Sequence, residues 1–300
     1  VPDLYIPIIS GAATYIPPRS YYTFPQMVLK YIDEHQINTL IWVPSALCNV
    51  VNMGAFDVSV PETIKLVIFC GEVMPCKYLN KWREKLPDAK YVNMYGPTEA
   101  TYACTYFDID ELFSDEDVLP LGRACGNSEI LLINDGKKCE KGEIGEICVM
   151  GQCLSSGYYH DREKTAESFV QNPLNENYIE LMYKTGDLAY ENNDGLLIFA
   201  GRKDSQIKRL GHRIELGEIE NVIWMNENVE NGCCLFDKEN SDIIAVFSGD
   251  IDEKELDSYI GKKLPPYMKP TRYEHMDHLP MNLNGKVDRA MLKETILQTK

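Results

Sequence analysis

Gly96-Pro97-Thr98-Glu99 follows an apolar stretch that ends in Asn93-Met94-Tyr95. A Gly-Pro pair forces a tight turn after a strand and aims the next side chains across the strand end. There the Thr98 hydroxyl can donate to a phosphate oxygen. The Glu99 carboxylate suits a hard cation such as Mg2+ that bridges phosphates. Tyr95 adds an aromatic face and Asn93 an amide. Asp187, after Thr185-Gly186, can accept two hydrogen bonds from vicinal hydroxyls, or it can satisfy the N–H groups of its own turn. Lys286 ends the turn-rich run Asn282-Leu283-Asn284-Gly285, which suits an ammonium on a flexible finger. Arg202 has the fork geometry for a phosphate or a pair of hydroxyls.

Elements of three kinds must position these groups. Between Gln26 and Asn93 an amphipathic pattern (Met27, Val28, Tyr31, Ile32) leads to the apolar strand Thr39 to Val43. A helix after Pro44-Ser45, a strand Lys65 to Phe69, a helix with Leu79 and Trp82, and a strand Lys90 to Asn93 follow. Strand–helix–strand alternation implies right-handed βαβ units and a parallel sheet. In such open sheets ligands sit at the C-terminal ends of strands, where Gly71-Glu72 and Asn93 to Glu99 fall. From Asp108 to Arg202 the pattern changes to short strands with glycine turns, predicting a distorted β-barrel or antiparallel sheet. Asn193-Asp194-Gly195 is its clearest hairpin turn. Beyond Asp204, Leu216, Ile219 and Ile223 recur at intervals of three and four, predicting an amphipathic helix in a small α+β unit. Leu264-Pro265-Pro266-Tyr267-Met268-Lys269-Pro270 predicts a rigid turn between helix and strand. The chain is therefore expected to be α/β (α+β overall), with a large part over 1–203 and a small mobile α+β domain over 204–300.

Four of these segments, in this order, resemble the motifs of the adenylate-forming enzymes, the superfamily of peptide synthetase adenylation domains, D-alanine–carrier protein ligases, acyl-CoA synthetases and luciferases. Asn93-Met94-Tyr95-Gly96-Pro97-Thr98-Glu99 is similar to the turn that contacts adenine and phosphate. Tyr183-Lys184-Thr185-Gly186-Asp187 is similar to the ribose motif, Gly201 to Glu220 to the hinge segment, and Asn284 to Arg289 to the C-terminal lysine loop. The resemblance implies ATP-dependent activation of an acid as its adenylate, then transfer to the phosphopantetheine thiol of a carrier protein. It assigns Lys286, Thr98 and Glu99 to catalysis, with Mg2+ on Glu99. Gly71, Glu72, Asn93, Tyr95, Asp187 and Arg202 would hold ATP or AMP, and the small domain would pivot at Asp204, near Gly211.

Among amino-acid-activating members the segments Gly71 to Pro75 and Asn93 to Thr101 look most like D-alanine ligases and peptide synthetases. Met94 and Val43, with residues up to Val50, would then line the side-chain pocket, where a methionine suits a small or apolar group. The first residues resemble the family stretch that follows the amino-group-binding aspartate, so the chain is expected to correspond to roughly the C-terminal three fifths of such an enzyme. The alternative is a truncated, catalytically incomplete module that binds nucleotide or carrier.

Composition narrows the partners. The 300 residues carry 46 acidic and 30 basic side chains, a formal net charge of −16, which argues against nucleic acid or an anionic membrane as partner. Nothing in the chain approaches the roughly 20 apolar residues of a membrane span. Ten cysteines, mostly in apolar contexts and without a CxxC pair, read as small hydrophobes of a reducing cytoplasm, the adjacent Cys233-Cys234 included.

Overall fold

The alternation between residues 25 and 95 folds into a sheet of three parallel strands. In a computed structural model that describes residues 2–203, 206–209, 212–237, 240, 242–282 and 286–297, β1 (Thr39–Trp42), β2 (Leu66–Cys70) and β3 (Lys90–Tyr95) pair parallel. Helices Pro44–Asn52 and Cys76–Lys85 supply the two crossovers, and Pro25–Glu34 leads into β1. Trp82 is fully buried against this sheet, with its ring edge-on to Trp42 and Phe56 and its indole N–H donating to the Leu47 carbonyl at 3.0 Å. Burying the apolar stripe of each helix is what makes the alternating pattern stable. Two antiparallel strands, β4 (Thr105–Asp108) and β5 (Arg123–Ala124), complete five in the order β1-β2-β3-β4-β5.

A second, antiparallel sheet follows from β6 (Ser128–Asn134), β7 (Lys137–Lys138), β8 (Gly145–Gly151), β9 (Phe169–Gln171), β10 (Leu181–Glu191) and β11 (Leu197–Arg202). Its β8 is covered on both faces: Ile147 and Val149 pack on one side with Leu132 and Ala189, and Cys148 and Met150 on the other with Met182. The hairpin turn is held by Asn192, whose Oδ1 accepts the N–H groups of Asp194 and Leu196, while Gly195 takes φ +73°. Before β1, residues Pro2–Ser10 form a further helix that the sequence patterns above do not anticipate.

The chain divides into two compact units, Val1–Phe199 and Ala200–Lys300, a division four residues before the boundary read from the charged segment. In the second unit a hairpin, β12 (Gln206–Arg209) with β13 (His212–Glu215), precedes the helix Leu216–Met225. Leu216, Ile219 and Ile223 are all buried, as their spacing predicts. The sheet β14 (Val229–Asp237), β15 (Asp242–Gly249) and β16 (Arg272–His275) is buried on both faces. That explains its unbroken apolar runs. Cys233 and Cys234 belong to opposite faces of β14 and so to different cores, the bland outcome expected of them. Burial pushes the Cys233 thiol up to about 12. Pro266–Met268 forms a single turn between the helix Glu253–Lys263 and β16, and the Arg209 guanidinium bonds the carbonyls of Tyr267 and Lys269 beside it.

Candidate functional site

β3 delivers Tyr95 to the C-terminal end of the parallel sheet, and the chain then reverses through Gly96-Pro97 and one turn of 3-10 helix, Thr98–Ala100. The reversal is tight. A Cβ on Gly96 would lie 2.5 Å from the Ala103 Cα and 2.7 Å from the Tyr102 carbonyl oxygen, so only glycine fits. Thr101 and Tyr102 both take left-handed backbone, at φ +54° and +84°, and the Cys104 N–H closes the turn on the Tyr95 carbonyl at 2.8 Å. Thr98 is left exposed and Glu99 half-buried.

Asp187 reaches the same place from the second sheet. Pairing of β10 with β8 slips between Lys184 and Leu188, so Thr185-Gly186-Asp187 bulges out of the ladder, with Gly186 at φ +74°. The bulge is pinned. Thr185 Oγ1 donates to the Ile147 carbonyl at 2.9 Å and accepts the Asp187 N–H at 3.0 Å, and the Gly186 N–H donates to Glu146 Oε1 at 3.1 Å. Bulges of this kind re-aim a side chain, and here the carboxylate turns toward Tyr95. The Tyr95 hydroxyl donates to Asp187 Oδ2 at 2.6 Å. Burial first, and the Asp187 charge second, push the Tyr95 phenol far above its ordinary range, so it stays a donor.

Glu99 is gripped by residues that the motif reading leaves without a role. The Tyr158 hydroxyl donates to Glu99 Oε1 at 2.6 Å and lies 3.4 Å from the Tyr183 hydroxyl, itself almost fully buried. The Lys164 ammonium sits 4.2 Å above the Tyr158 ring. Burial pulls the Glu99 carboxyl up, but hydrogen bonds from Tyr158, the backbone and Tyr183 outweigh it, and the group titrates below the usual glutamate range. The one local sign of Tyr158 in the sequence is Gly157-Tyr158 just ahead of a helix cap, too common a pattern to single it out.

Asn93 is buried, with its amide nitrogen donating to the Pro120 carbonyl at 2.8 Å. Glu72 Oε2 accepts the Ser45 N–H at 2.9 Å, at the start of the helix that follows Val43, so this carboxylate ties the ends of β1 and β2 together. Gly71 before it is exposed, at φ +101°. Val43 and Met94 are half-buried. Arg202 and Lys286 are exposed residues of the second unit, and Asp204 and Gly211 lie outside the described residues. Lys286 is anchored through its backbone: its N–H donates to Asn282 Oδ1 at 3.1 Å and its carbonyl accepts the Asn282 N–H at 2.7 Å.

The profile of the AMP-binding enzymes matches residues 1–159, more than half of the chain. It belongs to the AMP-binding enzyme family. Bacitracin synthase 1 of Bacillus licheniformis is 32% identical over 298 residues, covering 97% of this chain and 6% of the synthase. The D-alanine–D-alanyl carrier protein ligase of the same species is 32% identical over 312 residues, covering 99% of this chain and 60% of the ligase. Among solved structures, a four-domain nonribosomal peptide synthetase bound to AMP and glycine aligns at 26% identity with a TM-score of 0.80, covering 96% of this chain and 22% of that protein. The chain thus spans about three fifths of the ligase and a small part of the synthetase. Among the described residues no helix is long and apolar enough to cross a membrane.

Proposed function

We propose that this chain belongs to an enzyme that activates an amino acid with ATP and passes it to a carrier protein. The amino-acid carboxylate attacks the α-phosphorus, pyrophosphate leaves, and the aminoacyl adenylate forms. The phosphopantetheine thiol of the carrier then attacks the acyl carbon and AMP leaves. The observation that carries this reading is the meeting of Tyr95 and Asp187, from two different sheets, at one strand end. An aromatic face beside a carboxylate that can accept from two hydroxyls is a complementary set for adenine and ribose.

The remaining roles follow from side-chain chemistry. Thr98 donates to a phosphate oxygen. Arg202 reaches the ribose or the α-phosphate. Lys286 offsets the repulsion between the attacking carboxylate and the α-phosphate and stabilises the charge that builds on the α-phosphate oxygens, an interaction strongest in the transition state. Gly71 and Glu72 border the nucleotide, Met94 and Val43 the amino-acid side chain, and rotation about Asp204, with Gly211 beyond it, exchanges the two half-reactions. Glu99 fits a magnesium ion, because Mg2+ takes one or two carboxylates with the rest of its shell from phosphate and water, and this carboxylate stays ionised. When bound, the ion neutralises phosphate charge. An ATP-dependent reaction of this kind places the protein in the cytoplasm.

The test is amino-acid-dependent exchange of labelled pyrophosphate into ATP, with D-alanine, L-alanine and larger apolar acids. Exchange by the complete enzyme with one acid is expected and names the substrate. ATP binding without exchange for any acid favours the nucleotide- or carrier-binding module, and no binding of ATP or AMP overturns the reading.

A further inference from the structure

Glu99 is held at both ends by one segment of the chain. The Ser155 N–H donates to its backbone carbonyl at 2.8 Å, and the Tyr158 hydroxyl to its carboxylate at 2.6 Å. Tyr158 is in turn held at its backbone and at its ring. Gly157 takes φ +116°, and a Cβ there would lie 2.4 Å from Thr165 Cγ2, so the backbone runs directly against the helix Arg162–Ser168. Thr165 Oγ1 accepts the Tyr158 N–H at 2.9 Å and donates to the Asp161 carbonyl at 2.6 Å. The ring packs edge-on against Phe169 and carries Lys164 above it.

A glutamate on an exposed turn ordinarily samples several rotamers. A carboxylate with one oxygen on an immobilised phenol samples far fewer, and it keeps lone pairs for a cation. Magnesium demands near-ideal octahedral geometry, so a preset ligand matters more for it than for a permissive ion.

We infer that Tyr158 is a positioning residue for the Glu99 carboxylate, and that the segment Ser155 to Thr165 is the brace that presents it to magnesium. This rests on the reading of Glu99 as the magnesium-holding group. Outer partners that orient a metal ligand typically contribute about 10- to 100-fold in metal affinity.

The experiment is calorimetric titration of the chain with ATP across a series of magnesium concentrations and in EDTA. The unaltered chain is expected to bind ATP more tightly with magnesium. Tyr158→Phe, which keeps the ring and removes the hydroxyl, should raise the magnesium needed for half of that tightening about tenfold. Its ATP affinity in EDTA should stay unchanged. Thr165→Val should move the same way by less, and Tyr159→Phe, at an exposed neighbour, should not move at all. Unaltered magnesium dependence in Tyr158→Phe, beside a Glu99→Gln protein that has lost it, overturns the brace alone. So does a Tyr158→Phe protein whose affinity in EDTA falls by the same factor, since that is general damage to the site. Unaltered dependence in Glu99→Gln, or no magnesium effect on the unaltered chain, overturns the metal reading and the inference with it.

Discussion

Arg289 meets Glu220 through both arms of its guanidinium, Nη1 to Oε1 at 2.6 Å and Nη2 to Oε2 at 2.7 Å. Glu220 also accepts the Cys234 N–H at 2.7 Å, and Arg289 donates to the Cys234 carbonyl at 3.2 Å. One ion pair therefore ties the end of the charged segment, the strand β14 and the residue three places after Lys286. The Asp288 N–H on the Pro280 carbonyl, at 2.7 Å, completes the base of the lysine loop.

Arg289→Met should destabilise the second unit. Glu220 keeps only 15% of its side chain exposed against 43% for Arg289, so the loss strands a largely buried carboxylate. About 2 kcal/mol is expected, less than for a fully buried pair because the arginine is partly solvated. Glu220→Gln, which still offers an acceptor to Cys234, should lose about half as much. Urea denaturation of the three proteins measures both.

Lys286→Ala should lower adenylate formation by roughly 10^2- to 10^3-fold while sparing transfer from preformed adenylate, because a positioned cation acts where charge develops. Separate assays of the two half-reactions in the complete enzyme decide it. Equal losses in both would remove the assigned role.

Asp187→Asn should weaken AMP binding about 10- to 100-fold, the worth of one or two charge-assisted hydrogen bonds. Tyr95→Phe keeps the aromatic face and loses only the contact at 2.6 Å that orients Asp187, so its loss should be smaller. Calorimetric titration with AMP, which needs no metal, compares the two; a larger loss in Tyr95→Phe would reverse the assignment.

Gly96→Ala should disturb the turn rather than the sheet. The added methyl meets backbone of Tyr102, Ala103 and Cys104, none of which can rotate away. A destabilisation of about 1–3 kcal/mol is expected, together with weaker AMP binding. A protein with unchanged Tm and AMP affinity would show that the turn has more room than its contacts indicate.

Asp257 accepts from Lys269 at 2.8 Å, and this bond holds its carboxyl below the ordinary aspartate range. A carboxyl depressed by folding contributes stability that is present above its unfolded value and is lost as pH falls through the folded one. Both side chains are about one-third exposed, so the contribution is that of a surface pair, roughly 0.2–1 kcal/mol, and salt weakens it. Asp257→Asn should therefore lower stability at neutral pH and flatten its acid dependence, as urea midpoints between pH 7 and the acid limb would record. An unchanged pH profile would exclude the pair as a contributor.

Local pattern was enough for much of the framework. The stripe Leu216, Ile219, Ile223, the alternation that yields β1 to β3, the turn at Asn193 to Gly195 and the burial of Cys233 and Cys234 all follow from the periods of helix and strand, from turn chemistry and from apolar context. Which side chains meet did not follow. Tyr95 and Asp187 are 92 residues apart, Arg289 and Glu220 69, and Tyr158 and Glu99 59.

Motif order along the chain assigned the chemistry, since residue types carry their donors, acceptors and charges wherever they are placed. Tertiary structure alone decided that Glu72 bonds Ser45, that Asn93 is buried on Pro120, and that a tyrosine outside the motifs orients Glu99. The reason is register. A two-residue slip at Thr185 to Asp187 and a reversal at Gly96 set which atoms come within hydrogen-bond reach; the Gly-Pro pair announces the reversal, but the slip is fixed only by the pairing of β10 with β8.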